Sequence, residues 1–446
     1  MTAQIDRRRF LYSTLATGAG LALSPAARAQ AGSDEPEPIN IALLGAGTQG
    51  EVLLTTCVKM GDDSGIQFKA VCDLWEDLNL SRTVRLLARY GCEANAYTDY
   101  REMLAQAKDL DAVLIATPDF CHAEQTIACL KAGLHVYCEA PMAPTIDGAR
   151  KMVKAAAQTD KLLQIGQQRR SNPRYMHCQA KLLETVGILG KLTAVNAQWH
   201  LPARPDRGWS RRRALDAATL EAHGYASMHQ FKNWMWYRKT GAGPLVDYGV
   251  HQLDVINWLL GAAPKTVTAR GGTHYYDAET HEWHDTVMAV LEYETKAGTV
   301  CASYEVLCTN GYGGHVEAIL GDQGTLELSE SSARGGVYRD PEAPDWNKWV
   351  RLGLLSRPED QPKPPGSPTS IDVAETTPPA KYEIPVTVEV PYHQPHLANF
   401  FAAIRGQAEL NCPAAVAYPA TVTALKINEA IAKGQTLTLG PDTFAI

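Results

Sequence analysis

The densest cluster of residues able to do chemistry lies in GAGPLVDYGVHQLDVINWLLG, where Asp247, His251 and Asp254 follow a glycine turn. Residues four and three apart lie on neighbouring positions of a helix face, so Asp247 and His251 can point the same way. Such a pair can move a proton. The imidazole titrates near neutrality, and a carboxylate can orient it and stabilise its cation. A capping aspartate followed by a core histidine fits the same spacing, and the residues alone leave both readings open.

A second cluster is GAGTQG, whose Gly45, Gly47 and Gly50 make G-x-G-x-x-G directly after the apolar run INIALL. In a strand-to-helix turn the first glycine allows the tight turn. The second allows close approach of a pyrophosphate, the third packs helix on strand, and the helix start offers N–H groups to phosphate. Asp73 closes the next strand 23 residues after Gly50, where a carboxylate can bond a ribose 2′-hydroxyl. That favours NAD over NADP, because a 2′-phosphate would meet like charge.

These residues need a scaffold to hold them. INIALL, FKAVCD, DAVLIATP, HVYCE and LLQIG are short apolar runs separated by helical patterns such as HAEQTIACLKAG. Buried parallel strands read this way, and the alternation implies a doubly wound sheet over residues 39–168. The later runs KLTAVNAQW, TVMAVLEYE and GTVCASYEV alternate apolar with polar and suit an antiparallel sheet. The fold class expected is therefore α/β: an N-terminal Rossmann dinucleotide-binding domain and a C-terminal α+β domain over 169–446 with a largely antiparallel sheet. A chain of 446 residues suits two such domains. Residues 332–385, rich in Pro, Gly and charge, read as a long surface excursion.

The first 29 residues stand apart from this pattern. A basic head with Arg7-Arg8 before Phe10-Leu11, a weakly apolar middle and Ala27-Arg28-Ala29 read as a twin-arginine signal peptide. Residues 30–38 form an acidic linker. Export to the periplasm, or otherwise out of the cytoplasm, is expected, with no other membrane association. Removing four arginines and one aspartate takes the net charge from −7 to −10, which argues against nucleic acid and anionic membranes as partners. Ten cysteines in an exported chain raise the question of disulfides. Cys72, Cys121, Cys129 and Cys138 lie in or beside core elements, so reduced buried thiols are expected.

The pieces GAGTQG, AVCD, AYTDYREML, ATPDFCHAEQTIACLKAGLHVYCEAP, GQQRRSNPRY, GPLVDYGVHQLD and HLANFFAAIRG together resemble the glucose-fructose oxidoreductase, inositol dehydrogenase and rhizopine-catabolism family (Gfo/Idh/MocA) over nearly all of the chain after the signal. The resemblance implies a nicotinamide-dependent enzyme acting on a small-molecule carbohydrate, and a homo-oligomer, dimer or tetramer. It implies Thr117, Pro118 and Glu139 around the dinucleotide with Gly45, Gly47, Gly50 and Asp73. Thr48 and Gln49 in the turn and His122 in the following helix complete the cofactor set. Asp247 and His251 fall at the reacting hydroxyl, with His251 as general base.

The chain departs from the family at HVYCEAP. Where relatives have Glu-Lys-Pro, this chain has Ala140. A methyl group neither donates a hydrogen bond nor holds down a neighbouring pKa. Arg169, Arg170 or Lys232 could substitute, with Arg170 aligned to a substrate-facing position of the family. Alternatively the chemistry differs, or the site only binds. Export adds weight to altered chemistry, because a cofactor outside the cytoplasm must stay bound and be regenerated in place. Paired oxidation and reduction of two sugars would do that. So would an NAD-dependent glycoside hydrolysis, for which His200, Tyr248 and Tyr237 are candidate second bases. A non-catalytic carbohydrate-binding protein is the remaining alternative.

Trp234, Trp236 and Tyr237 precede the glycine turn, and aromatic faces stack on sugar rings. Arg170, Trp236, Tyr237 and Tyr248 are thus the expected substrate contacts. His281 and His284 in HEWHD have no third ligand at a recognised spacing and are expected to be solvated loop histidines. No metal is expected.

Overall fold

Strand β1 (Ile39–Leu44) is apolar on both faces, as a central parallel strand must be, and only Asn40 escapes full burial. Around it lie β2 (Ile66–Cys72), β3 (Asn95–Tyr97), β4 (Ala112–Ile115), β5 (His135–Glu139) and β6 (Leu163–Gly166). They form one parallel sheet in the order β3-β2-β1-β4-β5-β6. This is the doubly wound arrangement whose strand order reverses beside β1, leaving a crevice at the strand ends. The structure, a computed structural model, describes residues 37–61, 64–331, 333–357 and 379–446. The signal peptide and nearly all of the linker lie outside the described residues.

Strands β7 (Leu192–His200), β8 (Pro264–Gly272), β9 (Thr286–Thr295), β10 (Gly298–Leu307), β11 (His315–Gly321), β12 (Gly324–Leu328), β13 (Gly336–Arg339), β14 (Ala380–Tyr382) and β15 (Leu437–Thr438) make the second sheet. Their order is β14-β13-β12-β11-β7-β10-β9-β8-β15, and only β7 and β10 pair in parallel. Alternation decides which face is covered. Along β9, Val287, Ala289, Leu291 and Tyr293 are buried while Met288, Val290, Glu292 and Glu294 are exposed. The buried face packs on the helix Pro244–Leu260, whose Leu245, Leu253 and Ile256 share one core with it.

Two features differ from the sequence reading. The stretch read as a surface excursion contributes structure on both sides of 358–378, residues that lie outside those described. Strands β13 and β14 extend the sheet, and Trp346 and Leu355 are core residues, each 2% exposed. Nor does packing follow the division at residue 168. Leu397, Phe400 and Phe401, from the helix Gln394–Ile404, lie in the core beneath β1. Cys412, Ala417 and Tyr418 lie in the core beside β5 and β6. The chain returns to cover the first sheet, and alternation within one segment carries no information about which distant sheet it will cover.

All ten cysteines are free thiols, and burial pushes Cys57 and Cys129 up to about 12, so they act as small apolar side chains. No helix among the described residues is long and apolar enough to cross a membrane.

Candidate active site

The ends of β1, β2, β4 and β5 open into a cleft of about 860 Å³, which lies within the range of small-molecule sites. Two of the three glycines of the turn are required by sterics. Gly45 has φ +86°, and a Cβ there would meet the Ala116 carbonyl carbon at 2.6 Å. At Gly50 a Cβ would stand 1.9 Å from the Gly45 oxygen. At Gly47 it would meet nothing within 4 Å, so the backbone there faces open space. The helix Thr48–Lys59 begins at this point with no side-chain cap, and its first N–H groups are available to an anion. This cradle fits a pyrophosphate.

Asp73 lines the cleft, and one carboxylate oxygen also accepts from Ala46 N (2.7 Å) and the other from Trp75 N (2.8 Å). It therefore fixes the glycine turn as well as presenting a carboxylate to the cleft. Thr117 and Pro118 line the wall beside it. Glu139 is buried at the end of β5, where Gln49 Nε2 donates to its Oε1 at 2.8 Å. The same amide nitrogen stands 3.1 Å from His393 Nε2, a residue preceding the helix Gln394–Ile404 that sequence reasoning did not single out. His122 has a different role from the one expected. Its ring nitrogens lie 2.8 Å from the carbonyl oxygens of Pro141 and Thr117, so it ties two wall loops together and has no nitrogen left for a cofactor.

The reacting pair occupies the other end of the cleft. Asp247 and His251 both line it, as the helical spacing predicts, yet the two side chains are not hydrogen-bonded to each other. His251 Nδ1 instead donates to Gln167 Oε1 (2.9 Å), just past the end of β6, leaving Nε2 as the lone-pair nitrogen. The electrostatics also invert the expectation. Burial, with Arg169 behind it, lowers the His251 pKa to about 3. Burial raises Asp247 to about 7, with Arg207 opposing and Glu139 reinforcing the rise. The acid, rather than the imidazole, titrates near neutrality, because desolvation penalises whichever form is charged.

The floor is Trp199. Its ring stacks on Tyr248 (5.5 Å, 16°) and on His315 (4.8 Å, 21°), and His251 lies 6.1 Å away. Tyr248 faces the cleft, as expected. A side pocket of about 130 Å³ adjoins it, walled by Asp247, Tyr248, Trp234, Trp236 and Tyr276 among others. Trp236 thus borders the site from the side pocket. Tyr237 does not line either cavity, and its hydroxyl lies 2.6 Å from His229 Nδ1. Arg170 lines neither cavity. Its guanidinium grips buried Asp254 through two bonds of 2.7 and 3.0 Å. Arg169 is equally committed, paired with Glu317 (2.6 Å) and Glu330 (3.2 Å). Lys232 lines the cleft, but above Trp75 at the Asp73 end. None of the three cations proposed from sequence replaces the lysine missing at Ala140.

Of the other candidates, His200 turns away to the Tyr312 carbonyl (2.8 Å) and Glu305 (3.3 Å). His281 is not a solvated loop residue. It is 3% exposed, stacked on Tyr276 at 4.5 Å, with Nε2 3.2 Å from Asp206. No group of three potential metal ligands occurs among the described residues.

Residues 39–167 match the family model described as "Oxidoreductase family, NAD-binding Rossmann fold", and residues 178–327 match the GFO/IDH/MocA C-terminal domain. The chain belongs to the Gfo/Idh/MocA oxidoreductase family. It is 28% identical over 260 residues to the D-glucoside 3-dehydrogenase of Escherichia coli, a match covering 57% of this chain and 64% of that protein. The matched part therefore spans less than two thirds of that relative. To the inositol 2-dehydrogenase of Salmonella typhimurium it is 25% identical over 293 residues, 64% of this chain and 74% of the relative. Among solved structures, the WlbA dehydrogenase from Bordetella pertussis, in complex with NADH and UDP-GlcNAcA, superposes with TM-score 0.66 at 20% identity, covering 91% of this chain and 99% of that one. The aldose-aldose oxidoreductase from Caulobacter crescentus, complexed with glycerol, gives 0.65 at 18% identity, with 90% and 100% covered. These likenesses establish the shared fold, and the residues of the cleft carry the chemistry.

Proposed function

We propose that this protein is an NAD-dependent oxidoreductase of a secondary hydroxyl on a sugar, polyol or glycoside, with the cofactor kept bound through the cycle. The observation that carries it is one cleft in which the open backbone at Gly47 and Asp73 lie at one end and Asp247 with His251 at the other. NAD, when bound, supplies the hydride acceptor for the carbinol carbon. His251 Nε2 takes the hydroxyl proton as the carbon becomes a carbonyl. Gln167 holds Nδ1 so that Nε2 faces the cleft, and ionised Asp247 offsets the charge that develops on the imidazole. Trp199 and Tyr248 offer aromatic faces to the apolar side of a ring.

Retention of the cofactor is supported by a small fourth core that spans the cleft. Trp75, from the first sheet's side, packs with Leu220, Tyr225 and Met228, and its Nε1 donates to the Arg213 oxygen at 2.5 Å. Opening the cleft there would expose these side chains at roughly 1.5–3 kcal/mol each. The twin-arginine export read from residues 1–29 agrees with a cofactor loaded before transport and reoxidised in place by passing the hydride to the carbonyl of a second sugar. A homo-oligomer remains part of this proposal, and light scattering on the mature protein tests it. The glycosidase and binding-only readings gain nothing from the matched relatives, which are named dehydrogenases.

The deciding experiment follows nicotinamide absorbance of protein purified without added cofactor while free sugars and glycosides are added. Reduction of bound NAD by a subset of them is the expected result, and that subset defines the substrate class. Absence of nucleotide, together with failure to bind added NAD, would overturn the proposal. Aglycone release without net reduction would replace it with the hydrolytic cycle.

A further inference from the structure

Three carboxyl groups converge where the family lysine is missing. Asp119 begins the helix Asp119–Lys131, Glu139 ends β5, and Asp247 lies in the first turn of the helix Pro244–Leu260. All three line the cleft. Asp119 is partly held, since its Oδ2 accepts from Ala242 N at 3.2 Å, and Glu139 accepts from Gln49. The Asp247 carboxylate accepts no hydrogen bond from any described residue. A half-buried carboxylate beside two others is disfavoured in its charged form unless a cation attends it.

Among the described residues Arg207 is the one arginine on the walls of both the cleft and the side pocket, which also share Lys232, Trp234, Asp247 and Tyr248. Its guanidinium has no hydrogen-bond or ion-pair partner among the described residues. Its backbone, by contrast, is held closely although the segment 201–210 has no regular structure. Asn233, itself 6% exposed, accepts from Arg207 N at 2.8 Å and donates to Arg207 O at 3.3 Å. Three residues earlier, Arg204 N donates to the Tyr276 hydroxyl at 2.8 Å. A loop stapled this way fixes where the Arg207 side chain starts while leaving its charge uncommitted.

We propose that Arg207 is the electrostatic partner of Asp247 and takes over the charge that relatives place on the strand-end lysine. It is a positioning residue that acts through Asp247 and keeps that carboxylate ionised in the working range. The inference rests on the dehydrogenase reading for its catalytic consequence, though not for its electrostatic one. The groups that share cavity walls with Asp247 or act on it are Arg207 and Arg204 on the loop, Lys232 before the Trp234 turn, Glu139 and Asp119 from the first sheet's side, Cys308 after β10, and Tyr248 and His251 on its own helix. Arg207 is the sole cation that acts on Asp247 in this set.

The test compares Arg207→Ala, Arg207→Lys and the double variant Arg207→Ala/Ala140→Lys with the native protein. The first readout is difference infrared titration of the Asp247 carboxyl, with Asp247→Asn as the reference. The second is the pH profile of the single-turnover rate constant for reduction of bound NAD. Removing the cation is expected to move the Asp247 midpoint, and the acid limb with it, upward by roughly half a pH unit, the size left to a solvent-screened partner. Arg207→Lys should leave both near the native position, and Ala140→Lys should bring the Arg207→Ala values back down. An Asp247 midpoint unmoved in Arg207→Ala would overturn the inference. So would an activity loss in Arg207→Ala that Arg207→Lys and Ala140→Lys both fail to recover, since that pattern marks a loop scaffold. Failure of every sugar to reduce the native protein would defeat the dehydrogenase reading alone, and the infrared titration would still decide the role of Arg207.

Discussion

The two ends of the cleft are built in opposite ways. At the dinucleotide end the key groups come from consecutive stretches: Gly45 to Gly50 in one turn and Asp73 at the next strand end, bonded to each other through Ala46 N. At the reacting end they come from five separated places. Asp247 and His251 share a helix, but Gln167 follows β6, Trp199 is the penultimate residue of β7, Arg207 sits on an irregular loop and His393 directly precedes the helix Gln394–Ile404. The first end is geometry that backbone conformation dictates locally, so substitutions there should change nucleotide affinity. The second is a set of desolvated charges balanced across domains, so substitutions there should change turnover and its pH dependence.

The largest test of this division is His251→Ala. Loss of the general base should lower kcat by about 10³-fold, with bound nicotinamide recovered in native amount after purification. Co-purified nucleotide falling away with activity would break the comparison. Next is pH. With Asp247 near 7 and required as carboxylate, kcat should fall tenfold per pH unit below that point, roughly a hundredfold by pH 5. The direction follows from burial raising an acid, and a rate flat down to pH 5 would show that Asp247 works protonated or not at all. No limb should come from His251, which stays neutral above about 3. Gln167→Ala, which frees Nδ1, should cost kcat roughly ten- to a hundredfold through lost orientation, with KM little changed. The smallest effect belongs to the other end. Asp73→Asn should weaken NAD about tenfold, the size of one charge-assisted hydrogen bond, while leaving kcat at saturating NAD intact. A change in the pH limb on that substitution would mean the two ends are coupled.

The same contrast explains what could be read in advance. HVYCE was legible as a strand to the residue because a buried parallel strand is continuous in sequence, and β5 is His135–Glu139. Arg170 was misplaced because a motif position carries no information about partners, and Asp254, on a distant helix, claims its guanidinium. His281 was misread for a similar reason. Its loop composition suggested solvent, while Asp206 and Tyr276, each from another segment, bury it. Gln167 stood in plain view in GQQRRSNPRY, and only its contact with His251 Nδ1 gives it a role.

By itself, then, the sequence determined the doubly wound sheet, the glycine cradle, Asp73 and the pairing of Asp247 with His251 on one face. Each is set by periodicity or backbone sterics acting over a few residues. Only the tertiary structure decided which group titrates near neutrality, which cations are free and what closes over the cleft. Those depend on desolvation and on charges tens to hundreds of residues apart, and neither quantity exists until the chain is packed.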